Sequence, residues 1–336
     1  MVGVATATTP CGPYTYKASW KPLGADSRDM GLFVDDNSTA YLLYASDNNQ
    51  NFKISRLTAD YHNVSAQVSV LSASTLESPG IVKRNGVYYL IASHTSGWAP
   101  NPNKYFSATS LSGPWSSQAD IAPEAVRTYF SQNAYDFPLG SNAIYMGDRW
   151  RPSLLGSSRY MWFPLSWSSG SPQIVAADVW SVNVAAGTYT AATGTTYEAE
   201  AGTRSGPATI ISDSAFSAGG GVGWLGNGGT VTINNVQGTG SPQWISLYYA
   251  NGAVFPMCGV ITNVSIGDSS WRNRILLSVN GGTGVYVDQP DTGSGHVILS
   301  VPVQLILRSG SNSLTFGSGQ TNYAGDLDKI IVYTAT

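Results

Sequence analysis

The sequence predicts an all-β protein of two domains, an array of propeller blades followed by a β-sandwich. Three observations predict it. The 336 residues are 42% hydrophobic but only 11% charged, with 37 Gly, 10 Trp and 19 Tyr. Such an aromatic, turn-rich and weakly charged composition fits secreted all-β proteins that handle neutral ligands. No stretch carries the apolar period of an amphipathic helix. The first half holds a loose internal repeat: Tyr41-Leu42-Leu43-Tyr44-Ala45-Ser46 returns as Tyr88-Tyr89-Leu90-Ile91-Ala92-Ser93, with a third relative at Tyr160-Met161-Trp162-Phe163-Pro164-Leu165. A second piece, Thr9-Pro10-Cys11-Gly12-Pro13-Tyr14, is echoed by Ser110-Leu111-Ser112-Gly113-Pro114-Trp115. Repeats of about 40–50 residues made only of short strands point to blades, about three and part of another. An ordinary sandwich with similar hairpins is the alternative.

Taken in order, the chain opens Met1-Val2-Gly3-Val4-Ala5-Thr6, a strand already under way, without the basic region and long apolar segment of a signal peptide. The expectation is a chain that begins inside a domain. Three sequons, at Asn37, Asn63 and Asn263, lie in turn-like stretches and fit a secretory route, so an extracellular location is expected. The net charge of −3 offers no basic patch to replace counterions, which argues against a nucleic-acid partner. No apolar run approaches a membrane span. Cys11 and Cys258 lie far apart and give no metal motif and a weak disulfide case.

The chemistry centres on Leu76-Glu77-Ser78-Pro79 and the hairpin turn Asn85-Gly86. Of four glutamates (Glu77, Glu124, Glu198 and Glu200), Glu77 alone sits at the mouth of an apolar strand. Pro79 cannot donate to a ladder and marks a strand start or bulge. A carboxyl held partly dry there has its charged form disfavoured, which suits a general acid. A strand-end Glu in a surface ion pair is the other reading. Around Val184–Gly194 the composition turns small and polar, and residues 188–195 are expected to be a linker between a domain at 1–187 and another at 196–336. In the latter, strands alternate with Gly-rich turns at the size of a jelly roll. Glu198 and Glu200 are spaced to share one strand face, and with Asp328 they would make three oxygen-bearing acids, a set that suits calcium.

Asp26-Ser27-Arg28-Asp29-Met30-Gly31-Leu32-Phe33-Val34-Asp35-Asp36 with the following Tyr41–Ser46 run, and Leu76-Glu77-Ser78-Pro79 with its hairpin, resemble glycoside hydrolase family 43. Tyr145-Met146-Gly147-Asp148-Arg149-Trp150 resembles its exo-β-1,3-galactanase subgroup. Tyr197-Glu198-Ala199-Glu200, Tyr249-Ala250-Asn251-Gly252 and Asp326-Leu327-Asp328-Lys329-Ile330 resemble carbohydrate-binding module family 35. The resemblance implies a five-bladed propeller whose first blade is missing here. It implies an inverting enzyme that releases galactose from β-1,3-galactan, the arabinogalactan backbone. It assigns Glu77 as general acid and Asp29 as the residue that tunes it, and places Gln132, in Phe130-Ser131-Gln132-Asn133, where the subgroup's water-positioning glutamine stands. Asn49 and Thr95 are candidate sugar contacts, and Trp98 a stacking surface. In the module, Gly221, Trp224, Asn251, Asn322, Tyr323 and Asp326 are the matching sugar-binding candidates. A structural calcium is implied at Glu198, Glu200 and Asp328. The expected partner is the polysaccharide alone, bound by a monomer. Two readings remain beside this one: a carbohydrate-binding fragment without turnover, favoured by the missing blade, and another family 43 specificity such as arabinosidase or xylosidase.

Overall fold

The computed structural model describes residues 1–150, 155, 158–252, 274–290, 292 and 295–334. It is all-β, and the longest helical segment among the described residues is the four-residue Arg127–Phe130. The chain divides into two compact units: Met1–Ala176 with Asn183–Thr188, and Ala177–Val182 with Tyr189–Thr336. Residues 188–195, expected as a linker, instead hold the strand Thr188–Ala191 and the start of Gly194–Glu198. Their small, polar side chains suit edge strands as well as they suit loops. Cys11 is exposed and free. Cys258 and the sequon at Asn263 lie outside the described residues.

The first unit begins with β1 (Val2–Thr6) paired to β2 (Thr15–Trp20), and continues as three four-stranded antiparallel sheets. Each sheet takes its strands in chain order. The first holds β3 (Met30–Val34), β4 (Ala40–Ser46), β5 (Asn51–Leu57) and β6 (Val64–Leu71). The second holds β7 (Leu76–Arg84), β8 (Val87–His94), β9 (Lys104–Ala108) and β10 (Ala119–Asp120). The third holds β11 (Gln132–Leu139), β12 (Asn142–Arg149), β13 (Arg159–Ser166) and β14 (Gln173–Ile174).

Apolar faces fasten each sheet to the next. Leu43, Phe52 and Ile54 of the first pack with Leu76, Ile81, Leu90 and Ala92 of the second. On the opposite face Val82 and Ile91 pack with Ala143, Tyr145, Met161 and Leu165 of the third. A second strand buried on both faces reads as an unbroken apolar run. Truncating fully buried Leu90 to Ala would therefore cost about 2–5 kcal/mol.

The repeat holds for its first two copies, which are the second strands β4 and β8. The third relative, Tyr160–Leu165, falls on the third strand β13, and the counterpart by position is β12. In β13 only residues 163–165 are buried on both faces, since Tyr160 and Trp162 are exposed, so the similarity there does not mark the same place in the sheet. The paired turns hold as well. Gly12 N donates to Thr9 O at 3.0 Å and Gly113 N to Ser110 O at 2.9 Å, both glycines with φ above +80°.

In the second unit one sheet runs Thr209–Ser212, Gly220–Gly223, Asp326–Tyr333, Pro242–Ala250, Ile298–Ile306, with Gly194–Glu198 also paired to Asp326–Tyr333. The other runs Thr203–Ser205, Thr230–Gly238, Gly310–Phe316, Arg274–Val279, Val285–Asp288. Ile245, Leu247, Leu327 and Ile330 of the first share one buried core with Val231, Ile275, Leu314 and Phe316 of the second.

Candidate active site

Glu77 is placed by a bulge. The two-residue Asn85-Gly86 turn pairs Arg84 with Val87 and Gly80 with Ile91. Pro79 lacks an N–H and Ser78 has φ +51°, so the ladder slips between Glu77 and Gly80, and Glu77 comes to lie opposite Ser93. The bulge is held from both sides. A Cβ at Gly31 would overlap the Pro79 carbonyl oxygen, and one at Gly80 would overlap the Asp136 carboxylate. Asn133 Nδ2 donates to Ser78 O at 3.2 Å. Glu77 therefore projects from a backbone that has little room to shift.

The half-buried Glu77 carboxyl is pushed above its ordinary value by burial, and next by the Asp29 carboxylate; Arg28 and a hydrogen bond from Asn49 pull it down. Asn49 Nδ2 donates to Glu77 Oε1 at 2.6 Å. Asp29 is exposed, its main chain paired with Ala45, and its Oδ2 accepts from Ser78 Oγ at 3.2 Å. Burial first, and then the Asp29 carboxylate, favour the protonated form of Glu77, the form an acid requires.

Gln132 is tied to Ser93, the residue that pairs with Glu77. Its Nε2 donates to Ser93 Oγ at 2.9 Å, and its Oε1 accepts from the indole of Trp150 at 2.8 Å. Asn49, expected as a sugar contact, spends its amide nitrogen on Glu77, while its buried Oδ1 has no partner. Thr95 is exposed just past the end of β8. Trp98 is 48% exposed and stands edge-on to Trp150 with ring centroids 5.3 Å apart.

Four residues of this region were not found from the sequence. Ser93 could have been read from the hairpin register only if the bulge had been counted. Trp150 and Asp148 stand inside the motif quoted above without a local signal of their role. Asp148 faces Gln132 across the ladder, and burial alone pushes its carboxyl up. Asp136 is wholly buried and pushed up to about 7 by burial, against one hydrogen bond from Asn133 Nδ2 at 3.2 Å.

In the second unit the sugar-binding candidates collect at one end of the sheets but differ in exposure. Trp224 is 55% and Tyr323 41% exposed, in an edge-on pair at 5.3 Å. Asn322 is exposed beside them, and Asp326 is half-buried and pushed up to about 6 by burial. Asn251 and Gly221 are buried: Asn251 Nδ2 donates to Gln289 O at 2.8 Å, and a Cβ at Gly221 would strike Phe216. Both shape the end of the unit rather than face solvent.

Of the acidic trio, Glu198 ends its strand and Glu200 sits in the following turn, so the two do not share a strand face. The turn nevertheless brings Glu200 back. Burial pushes its carboxyl up first, and Glu198 and Asp328 add to the shift. Ser217 Oγ lies 2.6 Å from Glu198 Oε2 and 2.9 Å from Asp328 Oδ1, its single hydrogen shared between the two carboxylates. Among the described residues no group of three acidic, His or Cys side chains is already closed on a common point.

Residues 1–135 match the family Glycosyl hydrolases family 43. An exo-β-1,3-galactanase from Phanerochaete chrysosporium, crystallised as a glutamate-to-glutamine variant with β-1,3-galactotriose, is 68% identical; the match covers 98% of this chain and 74% of that one, with a TM-score of 0.91. The same enzyme with galactose gives 0.90 over the same shares. An exo-β-1,3-galactanase from Clostridium thermocellum is 21% identical over 91% of this chain and 76% of its own, with a TM-score of 0.53, a likeness of fold. No curated protein matches the chain.

Proposed function

The chain belongs to glycosyl hydrolases family 43 and is a glycosidase, and from that premise we propose that it releases galactose from the ends of β-1,3-galactan with inversion. The observation that carries this is the 68% identity, over 98% of the chain, to an enzyme crystallised with β-1,3-galactotriose. Glu77, whose protonated form burial and Asp29 favour, donates its proton to the departing glycosidic oxygen. The water-side group in this reading is an amide, Gln132, bonded to the Ser93 that pairs with Glu77, and an amide does not form the glycosyl-enzyme that retention requires. Water held by Gln132 therefore attacks the anomeric carbon directly as the C–O bond breaks. The proton that the water loses goes to Asp148, the carboxylate across the ladder from Gln132. Proton NMR of β-1,3-galactan digestion tests the reading. α-Galactose is expected as the first-formed anomer. First-formed β-galactose, or no galactose, would overturn it.

The second unit is proposed as a family 35-like carbohydrate-binding module of sandwich type, and the three stacked sheets of the first as propeller blades. The exposed Trp224–Tyr323 pair supports a sugar platform, an apolar face for sugar C–H groups with Asn322 and Asp326 beside it. The acidic trio fits calcium. Glu200 Oε2 is buried without a partner, and two further carboxylates are crowded about Ser217, all hard oxygen donors. Glu198, Glu200 and Asp328 would hold the ion, which would offset their mutual repulsion and tie the first strand to the last. Exposed Asn37 and Asn63 support a secretory origin.

A further inference from the structure

The two ends of the Gln132 side chain are nearly alike in shape, and its neighbours tell them apart by chemistry. The indole N–H of Trp150 only donates, so the atom 2.8 Å from it is the amide oxygen. Nε2 then falls to Ser93, whose hydroxyl oxygen accepts at 2.9 Å. A flipped amide would set N–H against N–H at Trp150. Ser93 is 1% exposed, stands opposite Glu77 in the ladder, and turns its own O–H toward the Glu77 main-chain carbonyl at 3.5 Å. One directed chain of donors thus runs from Trp150 through Gln132 and Ser93 to the strand that carries Glu77. It uses one N–H and one oxygen lone pair of the amide. One N–H and one lone pair remain, the set that can hold a water molecule by one hydrogen and one lone pair and leave its second lone pair to attack.

From this we infer that Trp150 and Ser93 are positioning residues for the hydrolytic water, acting through the Gln132 amide; the inference rests on the hydrolase reading above. Neither side chain touches the reacting atoms. Trp150 selects the orientation of the amide, and Ser93 ties it to the strand of the acid. Water and acid are thereby held in one frame, and misplacement of a reactant by about 1 Å costs on the order of 10²-fold in rate.

Trp150→Phe removes the donor and keeps a ring against Trp98. Ser93→Ala removes the acceptor. Each is expected to lower kcat on β-1,3-galactan by about 10- to 100-fold with KM within about twofold. The double variant is expected to be no worse than the poorer single one, because both free the same amide and their effects do not add. Should Trp150→Phe fail to fold, Ser93→Ala alone carries the kcat–KM expectation. Full kcat in either variant, a raised KM at unchanged kcat, or losses that multiply in the double variant would overturn the inference. A wild-type chain that releases no galactose would instead remove the hydrolase reading, and the inference with it.

Discussion

Asn49 Nδ2 lies 2.6 Å from Glu77 Oε1 and donates to it. This bond favours the ionised carboxyl, whereas burial and Asp29 favour the protonated one. An acid must hold its proton, so activity falls as pH rises through the Glu77 pKa. Asn49→Ala is expected to move that alkaline limb of the kcat–pH profile upward. Asp29→Asn is expected to move it downward, because a charge that raised the pKa is gone. Profiles of both variants beside the wild type check the pair, and shifts in one common direction would contradict it.

Glu77→Gln is expected to reduce galactan hydrolysis by about 10²–10⁴-fold, the usual contribution of a positioned general acid. The galactan binding proposed for the second unit should persist. Rate assays and affinity electrophoresis in galactan gels measure the two separately. A variant that keeps more than about a tenth of the rate would exclude Glu77 as the acid.

Asp136 carries a prediction about stability. Its folded pKa, about 7, lies above the ordinary carboxylate value of 3.8. The folded state therefore holds the proton more tightly than the unfolded one. The associated stability is complete below about pH 4 and is lost as pH rises through about 7. Melting temperatures of wild type and Asp136→Asn, followed from pH 4 to 8, should show the wild type losing ground relative to the variant. Parallel curves would mean that Asp136 is not held neutral.

Calcium added to the chelator-treated chain is expected to raise the melting temperature of the second unit, since an ion bound only by folded protein must stabilise it. Glu200→Gln should remove most of that response by deleting the donor with the unpartnered oxygen. A melting curve indifferent to chelator and calcium would remove the ion from the account.

The strand pattern, the Asn85-Gly86 turn and the lone Glu77 were legible in the sequence because they are local. Period-two alternation, a residue at positive φ and a proline without an N–H each act within a few residues. Resemblance pointed to Asp29 and Gln132. What the sequence did not disclose is what faces them. A straight hairpin would set Glu77 opposite His94. The bulge at Ser78-Pro79 slips the ladder by one residue and sets it opposite Ser93. A slip of one residue turns a side chain to the other face, so this partner depends on backbone geometry that Pro79 announces but does not specify. Trp150 lies 18 residues from Gln132 in the chain, and Asn49 lies 28 from Glu77. The first is set by the register of β11 on β12 within one sheet, and the second by how one sheet stacks on the next, through apolar cores whose interchangeable residues leave no mark of register. The same holds for Glu200, which the sequence placed on a strand face and the fold returns to Glu198 and Asp328 by a turn. The sequence determined the elements and singled out Glu77, while strand register, a turn and the packing of sheet on sheet decided which groups stand around Glu77, Gln132 and the acidic trio.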